Sequence, residues 1–367
     1  MEYKVPFVDF PALFRSLHDP VMATIEKVLS SGNLILRQEV EDFENHLAEF
    51  VGTKYAVGVG SGSDALFLTL RAIGFEPTDE IITVSHTCIA TVSAIVNAGA
   101  TPVLVDVTDD YTMDVDALES AITSRTRAVV PVHLDGCPCN MERILEIANR
   151  HGLIVIEDVA QALGAKFDGR HLGSIGLAGC FSLYPFKMLG AFGDAGMVTT
   201  DDEALVRRLR YLRSYGRDRE TGEYPAFGFN SRLDNLQAAI LDVQLPHLPG
   251  WIKRRREIAR MYTDGLSSIP DLILPRLLDS RYFHVYLNYI IRTEWRDALR
   301  EHLAARGVET LISLAKPIHH HPALKLTHYN LPKTDEIAST YLCLPTYPTL
   351  SDAQISYVIE SIRAFFE

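Results

Sequence analysis

From about residue 55 onward the chain alternates short runs rich in β-branched residues with longer stretches of helical period. The runs at 55–60, 80–85, 102–106, 127–133, 153–158, 180–184 and 196–200 are predicted strands. Between them, 64–73, 89–98, 115–122 and 141–151 are predicted helices. Strand followed by helix in this succession predicts an α/β protein with a mostly parallel sheet covered by helices on both faces. Sheets of that kind bind ligands at the carboxyl ends of their strands, so chemistry is sought there.

After Asp234 a helical region is predicted over 237–262, broken near its middle by Pro246 and Pro249. A smaller α+β region follows, with a strand near 283–291 and helices near 296–306 and 351–366. The expected division is a large ligand-binding domain, 1–248, and a small C-terminal domain, 249–367, with no internal repeat or low-complexity linker.

Composition narrows the partners. The chain has 367 residues and 47% hydrophobic content, enough to bury a large core without disulfides. With 35 basic against 47 acidic residues the net charge is −12, which disfavours a surface that tracks nucleic acid and favours a small-molecule ligand. Cys88, Cys137, Cys139, Cys180 and Cys343 show neither zinc spacing nor a disulfide framework, and the Cys137-Pro138-Cys139 pair reads as structural. The N-terminus lacks the charge and apolar run of a signal peptide, and no stretch offers 18 consecutive apolar residues. A soluble cytoplasmic protein with no membrane partner is expected.

Four stretches fall at or beyond the predicted strand ends. Lys187 stands between the apolar run Phe181-Ser182-Leu183-Tyr184 and the glycines Gly190, Gly193 and Gly196, either as a snorkelling surface residue or as a chemical group. Gly60-Ser61-Gly62-Ser63-Asp64 turns from strand into helix, where free N–H groups and hydroxyls suit a phosphate or an ordinary cap. A strand ends in Glu157-Asp158; only one of the two can face a crevice, and Asp158, being later, is the candidate, with a helix-capping carboxylate as the alternative. Residues 228–234 form a polar turn entering a long helix. A lysine, a carboxylate and a phosphate cradle together suit pyridoxal 5′-phosphate (PLP). Its chemistry needs a lysine to link the aldehyde and a carboxylate to keep the pyridine nitrogen protonated.

The motifs "SGSDAL" (61–66), "EDVAQALGA" (157–165), "FSLYPFKMLGAFGDAGMVTT" (181–200) and "GFNSRLDNLQAAIL" (228–241) resemble, in order and spacing, those of the DegT/DnrJ/EryC1/StrS family. "GATPVLVDV" (99–107) and "KPIHHHPAL" (316–324) extend the resemblance over nearly the whole chain. It implies a PLP-dependent nucleotide-sugar aminotransferase of fold type I. Residue by residue, it implies Lys187 as the Schiff-base lysine and proton carrier, Asp158 as the pyridinium partner and Gln161 as the amide near the ring hydroxyl. Gly62, Ser63 and Ser182 match the phosphate-binding positions. Asn230 matches a residue given to the phosphate site of the neighbouring subunit, so a homodimer with shared sites is implied. Arg232 and His319 are similar to positions near the sugar nucleotide. Cys88 falls where the family usually stacks an aromatic ring on the cofactor, and reads as a small filler rather than a catalytic thiol.

The resemblance further implies L-glutamate as amino donor and a nucleotide-linked keto sugar as acceptor. "YP" (184–185), "GDAG" (193–196) and "NSRLD" (230–234) lean toward members acting at the sugar 3-position, and Lys187 excludes the deoxygenating branch that carries histidine. The alternatives are a transaminase for a 4-keto sugar or a cyclitol ketone and, from another class, a PLP-binding regulatory protein. The run His319-His320-His321 invites a metal, but on an extended loop adjacent side chains diverge, so no metal is expected.

Overall fold

The structure, a computed structural model, describes residues 3–367. A seven-stranded sheet of order β1-β9-β8-β5-β4-β2-β3 is built from β1 Tyr55–Val59, β2 Glu80–Val84, β3 Thr101–Val105, β4 Thr126–Val129, β5 Ile154–Asp158, β8 Ala178–Ser182 and β9 Gly196–Thr200. Only β9 runs against its neighbours, so the sheet is mostly parallel, as the strand-helix alternation predicts. Alternate residues serve opposite faces. Ile82 and Val84 of β2 join one core with α3 Gln38–Val51 and α7 Met141–His151, while Ile81 joins a second core with α4 Gly62–Ile73, α5 Ile89–Asn97 and α8 Glu203–Leu212. Both faces being buried explains why these strands read as continuous apolar runs.

The elements outside this alternation differ more from expectation. Three helices, α1 Phe10–Ser16, α2 His18–Ser31 and α3, precede the first predicted strand. The strand expected over 127–133 stops at Val129, although Val132 still bridges to Asp158. The long helix expected over 237–262 is split into α9 Asn235–Gln244 and α10 Leu248–Leu266 by a 3-10 turn holding Pro246; Pro249 sits in the first turn of α10, where a missing N–H costs nothing. The strand expected over 283–291 is two, β10 Tyr282–Phe283 and β11 Tyr289–Arg292, separated where Tyr286 takes φ 52°. β10 pairs with the short β6 Lys166–Phe167, itself paired with β7 Arg170–His171.

A third core lies in the C-terminal region. There α10, α11 Arg296–Ala305 and α13 Asp352–Phe366 pack around β11 and β12 Tyr341–Leu344 through Tyr262, Leu266, Leu299, Leu342 and Ile355. Val5 joins this core, its N–H donating to Gly307 O (3.0 Å) while its carbonyl accepts from Glu309 N–H (2.9 Å). The segment before α12 Pro332–Thr340 returns to the large sheet, where Ile318 and Leu331 pack on Val92 and Leu104. No helix among the described residues is long and apolar enough to cross a membrane.

Candidate functional site

β5 and β8 are parallel neighbours with Asp158 level with Cys180, so the chain beyond each emerges on the same carboxyl edge of the sheet. Lys187 lies five residues past β8, in a turn and not at the strand end as expected. The turn is closed by Lys187 N–H donating to Tyr184 O (2.8 Å) and Ala191 N–H donating to Leu183 O (2.8 Å). Gly190 is required here, because a Cβ would stand 2.5 Å from Pro185 O. With Met188 and Leu189 buried beside it, the Lys187 side chain is half-buried. Burial pushes its amine below the ordinary lysine value, against the opposing pull of Asp158, Cys88 and Asp135. These four residues therefore share one electrostatic environment.

Asp158 is buried, with Oδ2 accepting from Thr91 Oγ1 (2.8 Å) and Oδ1 from Ala160 N–H (3.1 Å). Thr91 in turn stands 2.9 Å from Thr87 Oγ1, so a relay of two hydroxyls leads to the carboxylate. Burial raises the Asp158 pKa, offset in part by the Thr91 and Ala160 hydrogen bonds and by Lys187. No cation forms an ion pair with it among the described residues, as fits a carboxylate kept for a ligand's positive nitrogen. Glu157 points the other way. It accepts from Gly173, Ile175 and Gly176 N–H (2.9, 2.8 and 2.8 Å) and pairs with buried His133, holding the loop before β8.

Gln161 Oε1 accepts from Asp135 N–H (2.8 Å), which leaves its amide NH₂ available as a donor. Asp135 itself has φ 53° and is buried; Asn288 donates to its Oδ1, whereas Oδ2 has no partner. Burial pushes its pKa up to about 6 despite Asn288 and Lys187. In the native apoprotein the proton is held up to about pH 6, while an unfolded chain releases it near the ordinary aspartate value of 3.8. The unfolded state thus binds fewer protons across that window, and stability falls as pH rises through it. Relative to Asp135→Asn, the wild-type apoprotein is expected to lose up to about 3 kcal/mol between pH 4 and pH 7. Urea melts of both proteins at the two pH values check this; parallel pH profiles would exclude the titration.

At the far end of the crevice Ser61 caps α4 by accepting Asp64 N–H (3.1 Å), and Ala65 N–H bonds Ser61 O. The capping and cradle readings are thus compatible. Ser61 satisfies one donor, while the Gly62 and Ser63 N–H groups keep no acceptor among the described residues. Gly62 is pressed on β8, where a Cβ would meet Ser182 Cβ at 2.5 Å, so helix start and strand end meet without intervening side chain. Exposed Ser63 and half-buried Ser182 add two hydroxyls beside the N–H groups of this helix N-terminus. A phosphate here, a pyridinium at Asp158 and an aldehyde at Lys187 are a fit for PLP.

Cys88 is a free, exposed cysteine at the start of α5, on the Lys187 side. Cys88→Ser is expected to leave turnover within about twofold, and Cys88→Tyr to hold PLP up to roughly tenfold more tightly by stacking. Titration of PLP into each apoprotein checks both, and loss of turnover in the serine variant with PLP bound would make the thiol chemical. Asn230 is exposed, and Arg232 Nε is buried without a partner while its guanidinium lies 5.4 Å over the Tyr215 ring. Neither makes a hydrogen bond or ion pair to Lys187 or Asp158 within the chain. His319 is buried beyond the end of β2, Nδ1 2.7 Å from Ser85 Oγ, and burial lowers its pKa. Thr87, Thr91, Asp135 and Asn288 escaped the sequence reading. The i,i+4 spacing of the two threonines at a helix start was the one available signal.

With this geometry in view, the comparisons agree. The sequence profile of the DegT/DnrJ/EryC1/StrS aminotransferase family matches residues 16–363. A dTDP-3-amino-3,4,6-trideoxy-alpha-D-glucose transaminase of Streptomyces venezuelae is 44% identical over 99% of this chain and 97% of its own. A UDP-N-acetyl-3-dehydro-alpha-D-glucosamine 3-aminotransferase of Acidithiobacillus ferrooxidans is 41% identical over 98% and 97%. The crystal structure of Streptomyces venezuelae DesV in complex with a ketimine intermediate superposes with a TM-score of 0.96 at 43% identity, covering 100% of this chain and 99% of that one. The profile match over residues 16–363 and the superposition over the full chain place it in the DegT/DnrJ/EryC1/StrS family of PLP-dependent aminotransferases.

Proposed function

We propose that the protein moves an amino group from L-glutamate to the 3-keto position of a nucleotide-linked sugar. The observation that carries it is the half-buried Lys187, its amine proton affinity lowered by burial, in the field of buried Asp158. When bound, PLP supplies an electron sink and an amino-group carrier. The chain's own residues do the rest. Lys187 Nζ, being less basic than an exposed lysine, releases its proton more readily at neutral pH and acts as general base, then returns the proton as general acid. Asp158, oriented by Thr91 and Ala160, keeps its negative charge toward the ring nitrogen. Gln161, held by Asp135, would offer its amide to the ring hydroxyl; Gly62, Ser63 and Ser182 would hold the phosphate; and Cys88 would stand beside the cofactor in place of an aromatic ring.

Both relatives described above carry the 3-position in their names, which supports that position over the 4-position. We assign Arg232, whose Nε lacks a partner, to the sugar nucleotide, the cation facing an anionic group of the substrate. The test is to charge the enzyme with L-glutamate and offer 3-keto and 4-keto sugars linked to dTDP or UDP. Turnover confined to the 4-keto set, or to unlinked cyclitols, would overturn the assignment.

The active form is proposed to be a homodimer with shared sites. Tyr184 and Phe186, flanking the Lys187 turn, are exposed and stacked at 5.7 Å, and Phe10 meets Phe186 edge-on at 4.9 Å. An aromatic surface of this extent around a reactive site calls for a covering partner. Asn230, which makes no hydrogen bond among the described residues, would then reach the partner's phosphate. Asn230→Asp, which sets a like charge beside that phosphate, is expected to weaken PLP binding at least about tenfold. In a mixed dimer of Lys187→Ala and Asn230→Asp chains, one site carries both lesions and the other neither. About half the wild-type activity per dimer is expected, and no recovery above the parent homodimers would exclude shared sites. We also propose a domain boundary at residue 248, where α10 begins and carries the chain into the third core, and a cytoplasmic location, which suits five free cysteines.

A further inference from the structure

The histidine run is not extended. Ile318–His320 forms a turn of 3-10 helix, which brings the His319 and His320 rings to 4.3 Å between centroids at 58°. Their Nε2 atoms converge on one oxygen, Asp335 Oδ1 of α12, at 3.3 and 3.0 Å. That oxygen is buried, yet accepts a hydrogen bond from neither ring. Two nitrogens and an oxygen, each able to ligate a metal, are thus gathered within 4.8 Å of one another without hydrogen-bond alignment.

We propose that His319 Nε2, His320 Nε2 and Asp335 Oδ1 form a binding site for a divalent transition cation of the zinc class. Zinc bonds of about 2.0–2.2 Å at a tetrahedral angle separate neighbouring ligand atoms by about 3.3 Å, close to both nitrogen–oxygen distances here. His319 is already oriented for this task. Its Nδ1 is 2.7 Å from Ser85 Oγ, and an N–H donated there leaves the Nε2 lone pair free, the arrangement by which metal-bound imidazoles are held. The Ser85 hydroxyl also accepts His319 N–H (3.2 Å), fixing ring and backbone together. Ile318 and Leu331, buried against Val92 and Leu104, anchor the turn and the start of α12 to the sheet. Two imidazoles and one carboxylate suit zinc, cobalt, nickel or copper over magnesium or calcium, and leave a fourth position open to water.

The test uses tag-free, PLP-loaded enzyme titrated with zinc in a calorimeter, with magnesium as the hard-cation control. One zinc per chain and no magnesium binding are expected. Removing a group that merely orients a ligand weakens metal binding about 10–100-fold, so losing a ligand in His320→Ala or Asp335→Asn is expected to weaken it at least about 100-fold. His320 is 46% exposed, so its alanine variant tests the site even if Asp335→Asn unfolds. Absence of zinc binding up to millimolar concentration overturns the proposal. Zinc binding unchanged in His320→Ala, or lost instead in Cys88→Ser, overturns it equally.

Discussion

Lys187→Ala is expected to lose amino transfer while retaining the fold. Its backbone N–H, not its side chain, closes the turn on Tyr184 O, and the neighbouring anchors Met188 and Leu189 are untouched. What disappears is the amine. General acid–base work by a positioned group is worth about 10²–10⁴-fold, and here the same nitrogen also carries the covalent link to the cofactor, so a loss at the upper end of that range is expected. The yellow absorbance of lysine-linked PLP should vanish with it. Lys187→Arg separates charge from chemistry, since a guanidinium keeps the positive charge near Asp158 and Asp135 but does not release its proton near neutral pH. It is expected to be as inactive as the alanine variant, with small primary amines in the buffer restoring part of the activity of Lys187→Ala only. Normal turnover by either variant would remove Lys187 from the mechanism.

Asp158→Asn is expected to lower turnover by about 10³-fold at saturating PLP. The change is isosteric and retains one carbonyl oxygen for the Thr91 hydroxyl or the Ala160 N–H, so the carboxylate's charge is the main thing removed. A carboxylate about 4 Å from a cation interacts by about 4 kcal/mol at an effective dielectric near 20. That equals about three pKa units of the partner, or about three decades of rate if the protonated ring is required throughout. Stopped-flow half-reactions with L-glutamate measure it directly, and a loss below tenfold would show that the buried charge serves something other than the ring nitrogen. Thr91 and Thr87, which hold Asp158 in place, should give smaller losses than the carboxylate they orient.

How far the site was legible in the sequence depended on how local each feature is. Glu157 and Asp158 could be assigned to opposite faces because strand side chains alternate, and the structure has Glu157 tied to the loop before β8 and Asp158 bonded to Thr91. The glycines around Lys187 announced a tight turn, and Gly190 folds on Pro185. The position of Lys187 relative to its strand was less legible, because β8 ends at Ser182 and the apolar Leu183 belongs to the loop's own core contact. Helix α3 carried a readable pattern in Val40, Phe43, Leu47 and Val51, all buried, yet lay ahead of the first strand from which the alternation was read.

The sequence by itself determined the elements whose cause is local: short runs rich in β-branched residues set the strands of the sheet, and helical periods set its covering helices. Ordered motifs determined the family. Only the tertiary structure decided contacts across long separations. Thr91 meets Asp158, Asp135 meets Asn288 and pins Gln161, and Gly62 is pressed on Ser182, each a pairing that no window of neighbouring residues contains. The histidine run shows the difference most plainly. As an extended loop its side chains would diverge; a single 3-10 turn, held because Ile318 is buried against the sheet, turns two of them onto Asp335. Local backbone preference is weak beside the burial of an apolar anchor, so the packing of the whole chain decides where such a turn points its side chains.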